Sequence, residues 1–314
     1  MSATAPEVVE VSPSELAGLG GAPRAEVLAD QLERGNLLYF PTCPVELPAP
    51  EDVLFLRDVT PRYHTRKNIS YYPTAGRVNG MGGEHELRDR AARILSGHHE
   101  RVEAFMSGVF PEFADNWTSG TCSLRAFEEK DRAIDERKKS DLVHIDAGAY
   151  GATRGDSILR FLTNIDPDGD RVWRVKGTVG DLVDEYGEEL GLRDRKLLRE
   201  GPLDKLRHGV ISGLSTLYPL ARSLDSSPYD RAMRRIHNRM KADEEFQRNP
   251  EGAAELRFRS GSAWIVFADR TGHSCTSGRL CLIDTFIIRR QSFRQTEFSP
   301  YEILRQFSDA TTKS

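Results

Sequence analysis

The sequence predicts an α+β fold, a β-rich core buttressed by helices. Three observations lead there. Short apolar or alternating segments bounded by Gly, Pro, Asp and Asn have the length and texture of strands. Longer segments repeat apolar residues at helical spacing. Neither an internal repeat nor a clean linker divides the chain. Residues 1–20, rich in Ala, Gly, Pro, Ser and Glu, read as a loose arm, and residues 21–314 as a single domain.

The elements follow in order. Ala25 to Gly35 has helical periodicity through Val27, Leu28 and Leu32, and Asn36 to Phe40 is a strand that stops at Pro41. Arg66 to Pro73 is a polar and aromatic loop closed by Pro73 and the turns at Gly76 and Gly80. Glu84 to Phe110 is a long helix with Leu87, Ala91, Ile94, Leu95, Val102, Phe105 and Met106 on its apolar stripe. Ser119 to Glu128, Leu142 to Ala147, Ser157 to Ile165 and Val172 to Val175 read as strands. Glu129 to Asp141 is a charge run and reads as a solvated loop. Val179 to Leu220 is helical. Ser227-Pro-Tyr opens a further helix, with Ser as N-cap and Pro in the first turn. Ser262 to Phe267 and Leu280 to Ile288 return to strand.

Composition narrows the function classes. Lys plus Arg is 44 and Asp plus Glu 48, a formal charge of −4, and 38% of residues are hydrophobic, enough for a substantial core. A pI near 6.1 argues against a dedicated nucleic-acid binder. The longest apolar runs, Ser262 to Ala268 and Leu280 to Ile288, are strand-length, so no transmembrane segment is expected. Met1 to Glu10 has neither a basic n-region nor an apolar h-region, which predicts no signal peptide. Cys43, Cys122, Cys275 and Cys281 form no C-x-x-C pair, and reduced thiols in a cytoplasmic protein are the expectation.

The chemistry concentrates in Leu142-Val-His-Ile-Asp-Ala147. On a strand, His144 and Asp146 point to one face. An imidazole and a carboxylate there supply two of the three ligands of a non-haem Fe(II) facial triad. A hydrogen-bonded surface pair is the plainer alternative. His273, just after the strand Trp264 to Ala268, is the preferred third ligand, and His237, on the amphipathic helix beside Ile236, is its competitor. If the co-substrate is 2-oxoglutarate, its far carboxylate needs a fixed cation, which Arg provides bidentately. Arg160 sits amid an apolar strand and shares a face with Leu162 and Asn164. It lies on what reads as the strand next to His144 in the sheet. Its plainer role is to pair with a structural acid. Arg125 and Arg279 are further candidates.

The motifs Lys67-Asn-Ile-Ser-Tyr71, Leu142-Val-His-Ile-Asp146, Arg160-Phe-Leu-Thr-Asn-Ile165, Arg171-Val-Trp-Arg174, Ser227-Pro-Tyr-Asp230, Ile236-His-Asn238 and His273-Ser-Cys-Thr-Ser-Gly278 stand in an order and spacing that resembles the Kdo hydroxylase family. The likeness runs from about residue 25 to 290. The resemblance implies a double-stranded β-helix (jelly roll) with His144, Asp146 and His273 on Fe(II), and Arg160 as the 2-oxoglutarate anchor. It implies O₂-dependent hydroxylation of an acidic sugar, 3-deoxy-D-manno-oct-2-ulosonic acid (Kdo), with ascorbate as an in vitro reductant. Asn164, Arg125 and Arg279 are kept as auxiliary co-substrate contacts. Arg66, Lys67, Asn68 and Tyr71 are expected at the substrate, as cations for its carboxylate and a ring for its face. Departures fall at Ala147 to Ala152, in the charge run Arg132 to Lys139, which reads as a divergent lid, and at Cys275, Thr276 and Arg279. They leave as an alternative the same chemistry on an octosyl-acid-like nucleoside intermediate in antibiotic biosynthesis. A non-catalytic jelly-roll binding protein is the rival from another class.

Overall fold

A computed structural model of the chain describes residues 5–17, 22–66, 68–128, 141–148, 151–194, 196–217 and 225–310. The strands among them run in chain order as β1 (Val8–Glu10), β2 (Leu37–Phe40), β3 (Ile69–Tyr72), β4 (Arg77–Asn79), β5 (Trp117–Arg125), β6 (Ser157–Asn164), β7 (Arg171–Thr178), β8 (Ala253–Phe258), β9 (Ala263–Phe267), β10 (Thr271–Ser277) and β11 (Cys281–Ile288). Eight form one sheet in the order β1-β2-β9-β6-β11-β5-β3-β4, and three form a second in the order β10-β7-β8. Pairing is antiparallel except for β1 on β2. The architecture is mixed helix and sheet, as the patterning predicts.

Each layer follows from strand alternation. On β6, β9 and β11, Leu162, Trp264, Val266, Cys281 and Ile283 turn toward the small sheet and pack with Trp173, Val175, Phe258 and Cys275. The alternate residues Leu159, Phe161, Ile265, Phe267, Phe286 and Ile288 turn the other way, onto Val102, Met106 and Val109 of the helix His85–Val109 and onto Leu28 and Leu32 of Ala22–Glu33. A third cluster lies outside the small sheet. There Val143 and Ile145 meet Tyr229, Met233, Ile236 and Met240 from Pro228–Ala242. That helix opens with a reciprocal capping box between Ser227 and Asp230.

Several elements differ from expectation. Within residues 1–20, read as a loose arm, Val8–Glu10 is a strand of the large sheet, and Val11 beyond it is buried. The helical stretch after Val179 is two helices, Val179–Tyr186 and Pro202–Leu217. β3, β4, β8, β10 and the helix Pro300–Asp309 are not foreseen from the sequence pattern. β10 carries Thr, Gly, His and Ser where strands favour larger apolar residues, and it breaks register between Thr271 and His273. Gly272 sits in that break, where a Cβ would collide with the Lys176 carbonyl.

The turn from β9 to β10 holds a buried acid. Asp269 is 2% exposed, and its Oδ1 accepts the Ile158 N–H at 3.0 Å. Burial pushes its carboxyl up to about 6, against the pull of the neighbouring Arg270 charge. An unfolded Asp titrates near 4. The stability Asp269 contributes is therefore full below about pH 4 and is lost as pH rises through about 6. Asp269→Asn is expected to lose this part of the slope when urea midpoints are compared between about pH 4 and about pH 7.

Candidate metal and co-substrate site

Leu142–Ala147, expected as a strand, is not one in the structure. His144 makes an isolated antiparallel bridge to His273, His144 N–H to His273 O at 3.0 Å and His273 N–H to His144 O at 2.9 Å. Asp146 N–H continues the edge by donating to Ala268 O at 2.8 Å. On the other side no strand among the described residues pairs with it. The Gln247 side-chain amide takes the place of one, accepting from Val143 N–H at 2.8 Å and donating to Val143 O at 2.9 Å. The Ile145 carbonyl, next along, is met by His237 Nδ1 at 2.6 Å. Two side chains thus satisfy backbone groups that a neighbouring strand would otherwise pair.

This clamp sends His144 and Asp146 inward beside His273, and one ligand atom from each lies within 4.8 Å of the others. His144 and His273 are 7% and 6% exposed. His144 Nδ1 lies 2.8 Å from the Leu142 carbonyl and His273 Nδ1 2.9 Å from the Thr271 carbonyl. A carbonyl can only accept, so each Nδ1 carries the proton and each Nε2 is left with a lone pair. Burial holds the His144 imidazole well below its ordinary pKa, helped by the nearby His273. Burial also lowers His273, against the pull of Asp146. Both rings are neutral, as ligands must be. Burial would raise Asp146. The charge of Arg160 leads the opposing contributions, and together they keep the carboxyl well below the carboxylate range. Arg160 Nη2 is 2.7 Å from Asp146 Oδ2, an ion pair too poorly aligned to give that buried oxygen a hydrogen bond. Two Nε2 lone pairs and an ionised carboxylate are a donor set that fits a divalent iron-type ion.

Arg125, Arg160 and Arg171 line the adjoining cavity with Leu162, Trp173, Cys275 and Ile283. Arg160 is on β6 of the large sheet, so it faces His144 across the cavity, and the expectation that it lies on the neighbouring strand is corrected. Arg171 is 1% exposed and donates from Nη1 to Gly278 O at 2.9 Å. Trp173 lies nearly parallel to His273, ring centroids 4.9 Å apart. Arg171 and Trp173 stand in the sequence inside the Arg171-Val-Trp-Arg174 motif, where no site role was expected of them. The readable signal was the alternation Arg171, Trp173, Val175, which places both on one strand face.

Other expected residues fall elsewhere. Arg279 is at the surface, its Nε 2.9 Å from Asp166 Oδ2, because it precedes β11 and does not lie on it. Asn164 is buried but spent on the turn, donating to Gly169 O and Phe258 O and accepting from Asp166 N–H. Tyr71 pairs with Cys122 on β3 and packs on the face away from the cavity. Arg66 is exposed, and neither it nor Asn68 lines the cavity. Lys67 and the charge run Arg132 to Lys139 lie outside the described residues. His237, the competitor for third ligand, holds the Ile145 carbonyl instead, its ring 5.3 Å from that of His144.

Two histidines and one carboxylate, on β10 and on the segment bridged to its edge, lie beside a cluster of guanidiniums and could hold one metal ion as the donor set of a facial triad. The family model for 3-deoxy-D-manno-oct-2-ulosonic acid (Kdo) hydroxylase matches residues 21–311, and the chain belongs to that family. Among solved structures it is similar to the Kdo hydroxylase KdoO, a non-haem Fe(II) α-ketoglutarate-dependent dioxygenase. With the α-ketoglutarate and Fe(III) complex it shares 25% identity over 96% of this chain and 95% of that one, TM-score 0.78. With the cobalt(II) complex it shares 25% identity over 98% and 99%, TM-score 0.79. No curated protein sequence matches it.

The clamp has a measurable weight. Gln247→Leu leaves the Val143 N–H and C=O without their partners and is expected to cost about 1–3 kcal/mol, read from urea unfolding.

Proposed function

We propose that the chain is an Fe(II)- and 2-oxoglutarate-dependent dioxygenase that hydroxylates an acidic sugar of the Kdo type. The observation that carries this reading is the convergence of His144, Asp146 and His273 beside three inward guanidiniums. The facing sheets are read as a double-stranded β-helix, with residues 21–314 working as one unit. We place the enzyme in the cytoplasm, since the four cysteines form no disulfide.

His144 and His273 would hold the metal through Nε2 and Asp146 through a carboxylate oxygen. When bound, iron and 2-oxoglutarate supply, with O₂, the oxidising power for C–H hydroxylation. The protein's residues fix the geometry. The Leu142 and Thr271 carbonyls lock both imidazole tautomers. Arg160 steadies Asp146, and Arg125, Arg160 and Arg171, which line the cavity, would bind the carboxylates of 2-oxoglutarate. Trp173, flat against His273, walls the cavity and limits water. Three guanidiniums and a divalent ion outweigh one carboxylate and a dianionic co-substrate, so the cavity stays positive and suits an acidic substrate. Family membership favours the Kdo-type sugar over the nucleoside alternative, and an intact ligand set speaks against a non-catalytic binding protein.

Purified protein given Fe(II), ascorbate and 2-oxoglutarate is expected to release succinate, more so with Kdo-containing acceptor. His144→Ala should abolish release, and undiminished release by Asp146→Ala would contradict the ligand assignment. Arg171→Ala is expected to raise the KM for 2-oxoglutarate by about tenfold to a hundredfold, the loss of a charged hydrogen bond, whereas Arg279→Ala should leave it unchanged.

A further inference from the structure

The helix Pro228–Ala242 follows the edge of the metal-ligand segment that no strand among the described residues pairs with. The two run in step. Gln247, whose amide also bonds the Met240 carbonyl, holds Val143, and His237 Nδ1 meets the Ile145 carbonyl. Beyond them the Arg234 guanidinium lies on Gly148, its Nη2 2.6 Å from where a Cβ would stand, so that glycine makes room for the arginine. At the other end Lys241 comes close enough to act on His144. Burial leads the depression of that imidazole, and the Lys241 charge adds to it. Arg234, His237 and Lys241 stand at i, i+3 and i+7, on one helix face. Seven helical residues rise about 10.5 Å and four extended residues span about 13 Å, so this one face tracks the segment from His144 to Gly148.

The arginines of this helix are not equivalent. Arg231 pairs with Asp204 at 2.9 Å, and Arg239 with Glu189 and Asp243, both at 2.8 Å. Arg235 donates to the Leu190 carbonyl at 3.3 Å. Arg234 is exposed and makes no ion pair among the described residues, in a chain with 48 acidic side chains. It is also the one that reaches the metal-ligand segment, two residues past Asp146. A guanidinium left without an acid at that position suits an anion arriving from solvent. The carboxylates of 2-oxoglutarate have their own arginines, Arg125, Arg160 and Arg171, in the cavity between the sheets, which Arg234 does not line. The other acid of the proposed reaction is the sugar's carboxylate, which the planar fork of an arginine meets with two parallel hydrogen bonds.

We propose that Arg234 is the specificity-determining residue that binds the substrate's carboxylate as the sugar comes over the unpaired edge of the metal-ligand segment, with Lys241 supplying a second positive charge nearer His144. The proposal rests on the reading of the chain as an acidic-sugar dioxygenase. Its test is the steady-state kinetics of the iron-loaded full chain with 2-oxoglutarate and a Kdo-containing acceptor, or the same acceptor with its sugar carboxylate converted to the amide. Arg234→Ala is expected to raise the KM for the acid acceptor about tenfold to a hundredfold, the loss of a charged hydrogen bond, and to leave the KM for 2-oxoglutarate in place. Wild type should lose a similar factor on going from acid to amide, whereas Arg234→Ala should treat the two alike. Arg234→Lys, which keeps the charge without the fork, should fall between. Three results would overturn the proposal alone: an unchanged acceptor KM in Arg234→Ala, an equal loss by that variant on acid and amide, or a matching rise in its KM for 2-oxoglutarate. Succinate release by wild type that neither acceptor stimulates would overturn the acidic-sugar reading, and this proposal with it.

Discussion

The structure depends on one backbone contact. The reciprocal hydrogen bonds between His144 and His273 bring together residues far apart in sequence. Their side chains are the two imidazoles of the site. Because strand alternation fixes where each neighbour points, this bridge also aims Asp146 into the cavity and Val143 and Ile145 into the helical layer behind it. Asp146 N–H on Ala268 O extends the contact, and the Gln247 amide and the His237 ring hold the free side of the segment. A change in register by one residue would turn both ligands of this segment into the apolar layer.

The second constraint is electrostatic. A buried Asp and several buried Arg are costly alone and tolerable together. Asp146 stays ionised because the Arg160 charge leads the contributions that outweigh its desolvation. The guanidiniums of Arg125 and Arg171 lie at the same cavity, and that of Arg171 is secured by the Gly278 carbonyl. Gly278 has φ +110, and a Cβ there would stand 2.7 Å from the Arg171 Cα, so the chain needs glycine where it wraps that arginine. The inward cations and outward acids account for a global charge of −4 around a positive cavity.

Much of this was legible in the sequence. Segments with strong period, such as Ser157 to Ile165 and the helix after Glu84, declare themselves because burial on one face demands it. His144, Asp146 and His273 were legible from H-x-D and a later strand-end histidine. What the sequence hid is set by non-local pairing. β10 has little strand propensity and exists because β7 and the His144 segment flank it. Arg171 alternates with Trp173 on β7 and enters the cavity, whereas Arg279 precedes β11 and pairs with Asp166 outside it, but which face of β7 meets the cavity is set by pairing far along the chain. Tyr71 read as a substrate-facing ring, yet its register opposite Cys122 sends it to the far face.

The central claim is that His144, Asp146 and His273 form one metal site next to a 2-oxoglutarate pocket. Anaerobic titration of the Fe(II)-loaded protein with 2-oxoglutarate tests it most directly, since chelation of the iron by the keto acid gives a visible charge-transfer band. The account predicts one iron per chain and a band that saturates, with both lost in Asp146→Ala. Stoichiometric iron and an undiminished band in that variant would contradict it.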